Sequence, residues 1–302
     1  MGKKPVKEKS MKKIIKKLNK FFIIAGLLLA VYFLMLSPEM AQAADASSIT
    51  GTITDNGNGT CTLVCNNNTG IRVQACVSYN DNATKVYYDL GYYSNTIVVP
   101  LNAGNREYLV RLLYNIEDNR YAAFVQQRVN LNLQDENLPF ALANRIVNYK
   151  LSDNIINESM ELVKGCKTEL EIVQKIHRFV LEKYSYDHDL AANPPSNYIP
   201  DVQHDYVVRK GICYDYSVIF AAMLRIHGIE TKVVFGFPAE DAGYKKGAYH
   251  AWNQIYDSAS KSWYTVDITY DSCLYHDSAS YAGMTFTLKK NNNLYTNISY
   301  YY

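Results

Sequence analysis

No Cys-x2-Cys pair and no His-x3-His pair occurs in the 302 residues, so the usual spacings for gripping a zinc ion are missing. His177, His188, His204, His227 and His276 are therefore read as core or surface histidines, and neither a metal nor a cofactor is expected. Charge of one sign is also scarce once the N-terminus is set aside. The formal net charge is +2, but residues 1 to 43 carry nine lysines against Glu8 and Glu39, a net of +7, which leaves 2 − 7 = −5 for the remainder. A mildly acidic body gives no reason to expect nucleic-acid binding, so no nucleic-acid partner is expected. Tryptophan is nearly absent: Trp252 and Trp263 are the only two, and both lie late in the chain. No apolar run reaches the roughly 20 residues of a spanning helix. The longest is Phe21 to Leu36, and no apolar tail follows at the other end.

That short run sits inside a leader. Lysines from Lys3 to Lys20 precede it, Ser37, Pro38 and Glu39 break it, and Ala41-Gln42-Ala43 supplies the small-x-small pattern that a signal peptidase cuts. Residues 1 to 43 are expected to be a signal peptide, with an uncleaved N-terminal anchor as the alternative. The body then lies outside the cytoplasm, secreted or associated with the cell wall, with no membrane span after cleavage. Export also makes the six cysteines candidates for disulfides. One bridge among Cys61, Cys65 and Cys76 fits their spacing without fixing the partners, and Cys166 and Cys273 are left open between bridged and free.

From 47 to 134 the pattern is short, alternating and rich in Tyr and β-branched residues. Strands are expected at Ile49–Thr54, Thr60–Cys65, Ile71–Tyr79, Lys85–Tyr92, Thr96–Leu101, Tyr108–Tyr114 and Tyr121–Leu131, with Asn, Gly and Asp turns between them. Seven such strands suggest an all-β, immunoglobulin-like sandwich, serving attachment, presentation or plain scaffolding. The 27 tyrosines are put down to this strand-rich texture and not to a carbohydrate platform.

After Gln134 the period becomes helical, and 135 to 302 is expected to be a second domain. Thr168 and Glu171 make a capping box ahead of Leu170, Val173, Ile176, Val180 and Leu181, and Asn154 to Val163 reads as another helix. Further on, Arg209-Lys210-Gly211-Ile212-Cys213 runs into a helical stretch that Gly228 ends. A thiol at a helix start is favoured as thiolate by the dipole, and the first free N–H groups can receive an oxyanion. Thr231 to Phe237, the stretch opened by Tyr249-His250-Ala251-Trp252, and Trp263 to Thr269 read as three strands. Antiparallel pairing can bring His250 and Asp267 into hydrogen-bonding reach. Cys213 would attack, His250 would carry the proton, and Asp267 would orient the ring. Gln203 and Tyr206 are the side chains available as a second oxyanion donor, Trp252 is open as a wall of the site, and Trp263 is read as packing.

Gly-Ile-Cys-x-Asp-Tyr-Ser, His-Ala-Trp-Asn and Trp-x-x-Val-Asp-Ile-Thr, in that order, resemble the motif blocks of the bacterial transglutaminase-like superfamily. Tyr198-Ile199-Pro200-Asp201 is also similar to secreted bacterial members, while Ile268 stands where many relatives have proline. The resemblance covers roughly Asp135 to Asp277. It implies an α+β, papain-like core in which a helix bearing the cysteine packs on an antiparallel sheet, and chemistry through an acyl-thioester. Protein or peptide substrates follow from the same resemblance, with a peptidase, deamidase or transglutaminase outcome. A non-catalytic cell-surface binding protein using this fold as a scaffold is the alternative.

Overall fold

The computed structural model describes residues 46–239, 247–277, 295 and 297–302. The expected leader therefore lies outside the described residues. Among the described residues no helix is long and apolar enough to cross a membrane.

Seven strands open the described chain: β1 (Thr50–Asp55), β2 (Thr60–Asn66), β3 (Val73–Tyr79), β4 (Thr84–Gly91), β5 (Asn95–Pro100), β6 (Glu107–Glu117) and β7 (Arg120–Asn130). They form two antiparallel sheets, ordered β1-β2-β5 and β4-β3-β6-β7. Alternation explains the packing. Val73, Ala75 and Val77 of β3 and Tyr108, Val110 and Leu112 of β6 are buried in the core that also holds Leu63 and Val99 from the other sheet. Tyr108 pins the corner before β6: its hydroxyl donates to the Gly104 carbonyl and accepts from the Ala103 N–H, both at 2.8 Å.

Cys61, Cys65 and Cys76 form no disulfide, which corrects the expectation of a bridge in the early cluster. Cys61 and Cys65 are separated along one strand by about 13 Å at the usual rise, too far to bond. Cys76 belongs to the opposite sheet, on β3. All three are buried: Cys61 and Cys65 act as small hydrophobes of the core, whereas the Cys76 sulfur accepts from the Arg111 guanidinium at 3.4 Å.

The second part is mixed. Its helices are α1 (Asn154–Leu162), α2 (Glu169–Lys183), α3 (His188–Ala192), α4 (Val202–Val208), α5 (Cys213–Arg225) and α6 (Ile268–Asp277). The capping residues do what their types predict at α2: Thr168 accepts the Glu171 N–H at 3.2 Å, and Glu171 reaches back to the Lys167 N–H at 2.5 Å. Two-residue strands β8 (Ser185–Tyr186) and β9 (Lys210–Gly211) pair in parallel. A four-stranded antiparallel sheet, ordered β12-β11-β10-β13, is built from β10 (Thr231–Phe237), β11 (His250–Asp257), β12 (Ser262–Val266) and β13 (Asn297–Tyr301).

Helix α5 is buried almost throughout and lies on this sheet, with Val218 to Leu224 fully enclosed. Asn253 of β11 donates to the Ser217 carbonyl of α5 at 2.9 Å, so the odd-numbered face of β11 meets the helix. At the far end of α5, the buried Arg225 donates to the carbonyls of Leu142, Thr231 and Tyr302 at 2.7 to 3.0 Å. One cation thereby ties the segment after the sandwich, the start of β10 and the residue after β13 to a single helix. Lys232 makes a second tie: its amine sits 3.8 Å from the Trp263 ring centre, 4.6 Å from Tyr301 and 4.9 Å from Phe140. Trp263 is thus a packing residue, as expected.

Candidate active site

Cys213 is the first residue of α5, half-buried where the helix meets the end of the sheet. Its N–H and that of Tyr214 open the helix and have no intrahelical acceptor. Asp215 sets the turn. Its buried carboxylate accepts the Ile212 N–H at 2.6 Å and the Tyr198 hydroxyl at 2.5 Å. Burial, as the leading cause, holds Asp215 above the usual carboxylate range. Gly211 is needed for space: a Cβ there would lie 2.4 Å from Cβ of Asp215. Its role is close approach, which differs from the flexibility that its place before the cysteine suggests.

His250 opens β11 and Asp267 directly follows β12. The two are joined by a 2.8 Å hydrogen bond from His250 Nε2 to Asp267 Oδ2, both side chains buried. Asp267 does more than face the ring. Its Oδ1 accepts the Tyr270 N–H at 3.0 Å, the bond of a helix N-cap, and its Oδ2 also accepts the Tyr295 hydroxyl at 2.6 Å. Asp267 thus ends the strand and starts α6. The expected strand through Thr269 stops at Val266 for this reason, and Ile268 and Thr269 are helical.

With Nε2 committed to Asp267, Nδ1 is the ring nitrogen left to serve Cys213, whose sulfur lies near enough to act on the charge of the ring. Burial works against a charged imidazole, but the Asp267 carboxylate, its hydrogen bond and Cys213 together raise His250 to about 10. The structure therefore gathers sulfur, ring and acid, although not on one face of the sheet. Trp252, two residues along β11, packs on Val234 and Tyr295 away from α5, and its ring stacks near His250 at 6.2 Å between centres. His250 shares that face by alternation and meets Cys213 only because each stands at the end of its element. Trp252 is fully buried, and its Nε1 finds no partner among the described residues. It backs the His–Asp pair.

The proposed second oxyanion donors are engaged elsewhere. Gln203 Oε1 accepts the Asn154 N–H at the start of α1, and Tyr206 lies under the Arg209 guanidinium. Tyr186, which the sequence reading passed over, is held beside the cysteine instead. Its backbone pairs with Gly211, and its phenol is pushed up to about 12 by burial first and then by the Cys213 sulfur. A neutral phenol in that place is a hydrogen-bond donor. The pairing of β8 with β9 was the only local signal, and two residues are too few to read.

Of the remaining histidines, His177 is buried against Asp271 at 2.9 Å, His227 meets Ser159, and His188, His204 and His276 are exposed. Among the described residues no group of three His, Cys, Asp or Glu side chains is placed to hold a metal ion.

Comparison with known proteins bears on this arrangement. A candidate cysteine protease from Cytophaga hutchinsonii is similar over 73% of this chain and 66% of its own, at 15% identity and a TM-score of 0.38. The periplasmic domain of TgpA from Pseudomonas aeruginosa, bound to ethylmercury, is similar over 70% of this chain and 72% of its own, at 17% identity and a TM-score of 0.33. No curated protein matches the sequence significantly. The family model described as the transglutaminase-like superfamily matches residues 157–268, a span that runs from α1 through Cys213 and His250 to just past Asp267. This stretch is a transglutaminase-like core, of a superfamily whose members are usually cysteine-dependent enzymes.

Proposed function

We propose that the chain is an exported thiol enzyme that acts on amide bonds of proteins or peptides through an acyl-thioester. The observation that carries the reading is the buried His250–Asp267 pair, joined at 2.8 Å, beside a cysteine that opens a buried helix. The leader composition of residues 1 to 43 supports export.

The chemistry runs as follows. The Cys213 sulfur attacks the amide carbon, and the carbonyl oxygen takes the electron pair, facing the N–H groups that open α5 and the Tyr186 phenol. The oxyanion collapses, the C–N bond breaks, and the His250 imidazolium gives its proton to the departing nitrogen. An acyl-thioester remains. Water or a primary amine then adds to it while His250 takes back the proton, and the thiolate leaves. Water gives peptidase or deamidase products, and an amine gives a cross-link. Asp267 stays ionised and holds the ring.

Two measurements test this. Iodoacetamide near neutral pH should label Cys213 well ahead of the other five cysteines, three of which are fully buried. Mass spectrometry of a cell-surface protein extract, with and without a primary amine donor, should show deamidated, cleaved or amine-linked products with the wild type and none with Cys213→Ala of unchanged circular dichroism. Cys213 labelling no faster than a model thiol, with no product in either condition, would leave the non-catalytic scaffold as the better account.

A further inference from the structure

The outer face of the four-stranded sheet, on the side away from the sandwich core, carries an open hollow of about 670 Å³ bordered by Arg72, Gln74, Lys85, Tyr87, Arg111 and Tyr121. A second hollow of about 240 Å³ shares Arg72 and Tyr121 and continues it towards Tyr92, Asn115 and Asp118. Register accounts for the layout. Cys76 of β3 pairs with Tyr87 on one side and Arg111 on the other, so phenol and guanidinium lie in one row across the sheet.

The charges in this row are unbalanced. Arg72 and Asp89 form a two-bond pair, 3.1 Å at each contact, and neutralise each other. Arg111 has only neutral acceptors, Asn82 Oδ1 at 2.7 Å, Ser78 Oγ at 3.3 Å and Cys76 Sγ at 3.4 Å, and its buried Nε finds none among the described residues. Lys85 is exposed beside it. Three cations against Asp89 leave 3 − 1 = +2 in the larger hollow, and Asp118 of the smaller one brings the whole face to 3 − 2 = +1, in a body whose net charge is −5.

We propose that this face binds an acidic polysaccharide, a glycan chain whose sugars carry carboxylates. Asn82 and Ser78 fix the Arg111 guanidinium in orientation, and its planar fork matches a carboxylate. For two of the tyrosines the reading as strand texture alone is thereby revised: Tyr87 and Tyr92 are each about half exposed (52%) and would present flat rings to the C–H faces of sugars. Gln74, Asn119 and the Arg72–Asp89 pair supply both donors and acceptors for hydroxyl groups. A bound peptide would use a sheet edge or an apolar pocket, whereas this hollow lies on a sheet face and its apolar lining is limited to Leu113 and Ala123. The site is independent of the thiol chemistry, and its partner would hold the enzyme against a carbohydrate surface.

Affinity electrophoresis of the full chain tests it, with hyaluronate, polygalacturonate or alginate cast in the gel and dextran and polyphosphate as controls. At least one carboxylated polymer should retard the protein, and dextran and polyphosphate should not. Lys85→Gln and Tyr87→Ala, both at exposed positions, should each weaken retardation about tenfold, and Arg111→Gln more. The thermal midpoints of the first two and the Cys213 labelling rate should stay at wild-type values. No retardation by any of the three polymers overturns the proposal. So does equal retardation by polyphosphate, which marks a plain polyanion effect, and so does retardation that none of the three variants changes.

Discussion

Asp267→Asn is the most informative single change, because the present contacts dictate what the amide must do. Oδ1 caps α6 through the Tyr270 N–H, so the amide oxygen keeps that place. The NH2 group then occupies the Oδ2 position, facing His250 Nε2 and the Tyr295 hydroxyl. A donor now meets Nε2, and the ring must turn that nitrogen into an acceptor. Its proton moves to Nδ1, the nitrogen that serves Cys213, so the ring can no longer take a proton from the thiol in place. The charge effect adds to the tautomer effect. Without the carboxylate, the burial that opposes charge on His250 acts almost alone, and the ring falls from about 10 to its ordinary value or below. At about pH 7.5, a ring with a pKa near 6.5 is protonated in only about one molecule in eleven. Iodoacetamide labelling of Cys213 should therefore slow about tenfold if the reactive form is the thiolate beside an imidazolium. Turnover should fall further, by about the 10⁴-fold seen when the same change is made in serine triads. The labelling rate is followed from about pH 5 to 10 by peptide mapping, which needs no knowledge of the substrate. An Asp267→Asn protein that labels at the wild-type rate across that range would refute the role given to the acid.

Arg225→Met should lower stability by about 3 kcal/mol or more in urea unfolding, because it strands the buried carbonyls of Leu142, Thr231 and Tyr302. A loss below about 1 kcal/mol would mean that those carbonyls find other donors. Asp205 is buried and raised to about 6, by burial first and then by Asp215, and its Oδ2 has no partner among the described residues. A carboxyl raised by folding stabilises fully below its unfolded value and loses that contribution as pH rises through about 6. Asp205→Asn should consequently gain about 2 kcal/mol at neutral pH and nothing near pH 4, and a pH-independent difference would contradict the assignment. His250 carries the opposite partner logic with the same sign of shift: its ion pair stabilises fully below about pH 6.5 and is lost as pH rises through about 10. Thermal midpoints of the wild type should accordingly decline between about pH 8 and 10 more steeply than those of His250→Gln.

Much of the fold was readable because local and tertiary demands agree. All seven sandwich strands fall within three residues of their alternating runs, since the runs are punctuated by Asn, Gly and Asp turns. The same agreement located α2 by its Thr168–Glu171 cap and α5 by Gly228, which takes a positive φ of 75°. Misreadings arose where a side chain overrides propensity. Ile268, Thr269 and Tyr270 are β-prone residues, and they are helical only because Asp267 caps them. Val202 to Val208, which the sequence reading assigned to no element, is a helix capped by Asp201, whose carboxylate accepts the His204 N–H at 3.0 Å. Tyr295 belongs to no motif and reaches Asp267 across 28 residues of chain, a contact that no local pattern encodes.

The site and the fold share atoms, and this is why the three motif blocks were legible while their support was not. Asp267 orients His250 with the same oxygen that receives Tyr295, and with the other it begins the helix that carries Asp271 to His177. Asp215 starts the helix that bears the sulfur and, by its bulk, requires glycine at 211. Each acid therefore has a structural task whose donors are backbone N–H groups, and a side chain with such a task sits in one rotamer without further cost. The ring of His250 inherits that fixity through a single 2.8 Å bond. Preorganisation of the thiol and imidazole is then a consequence of how two helices begin, and substitutions at Tyr198 or Tyr295, which touch neither sulfur nor ring, should still disturb the chemistry through the acids they hold.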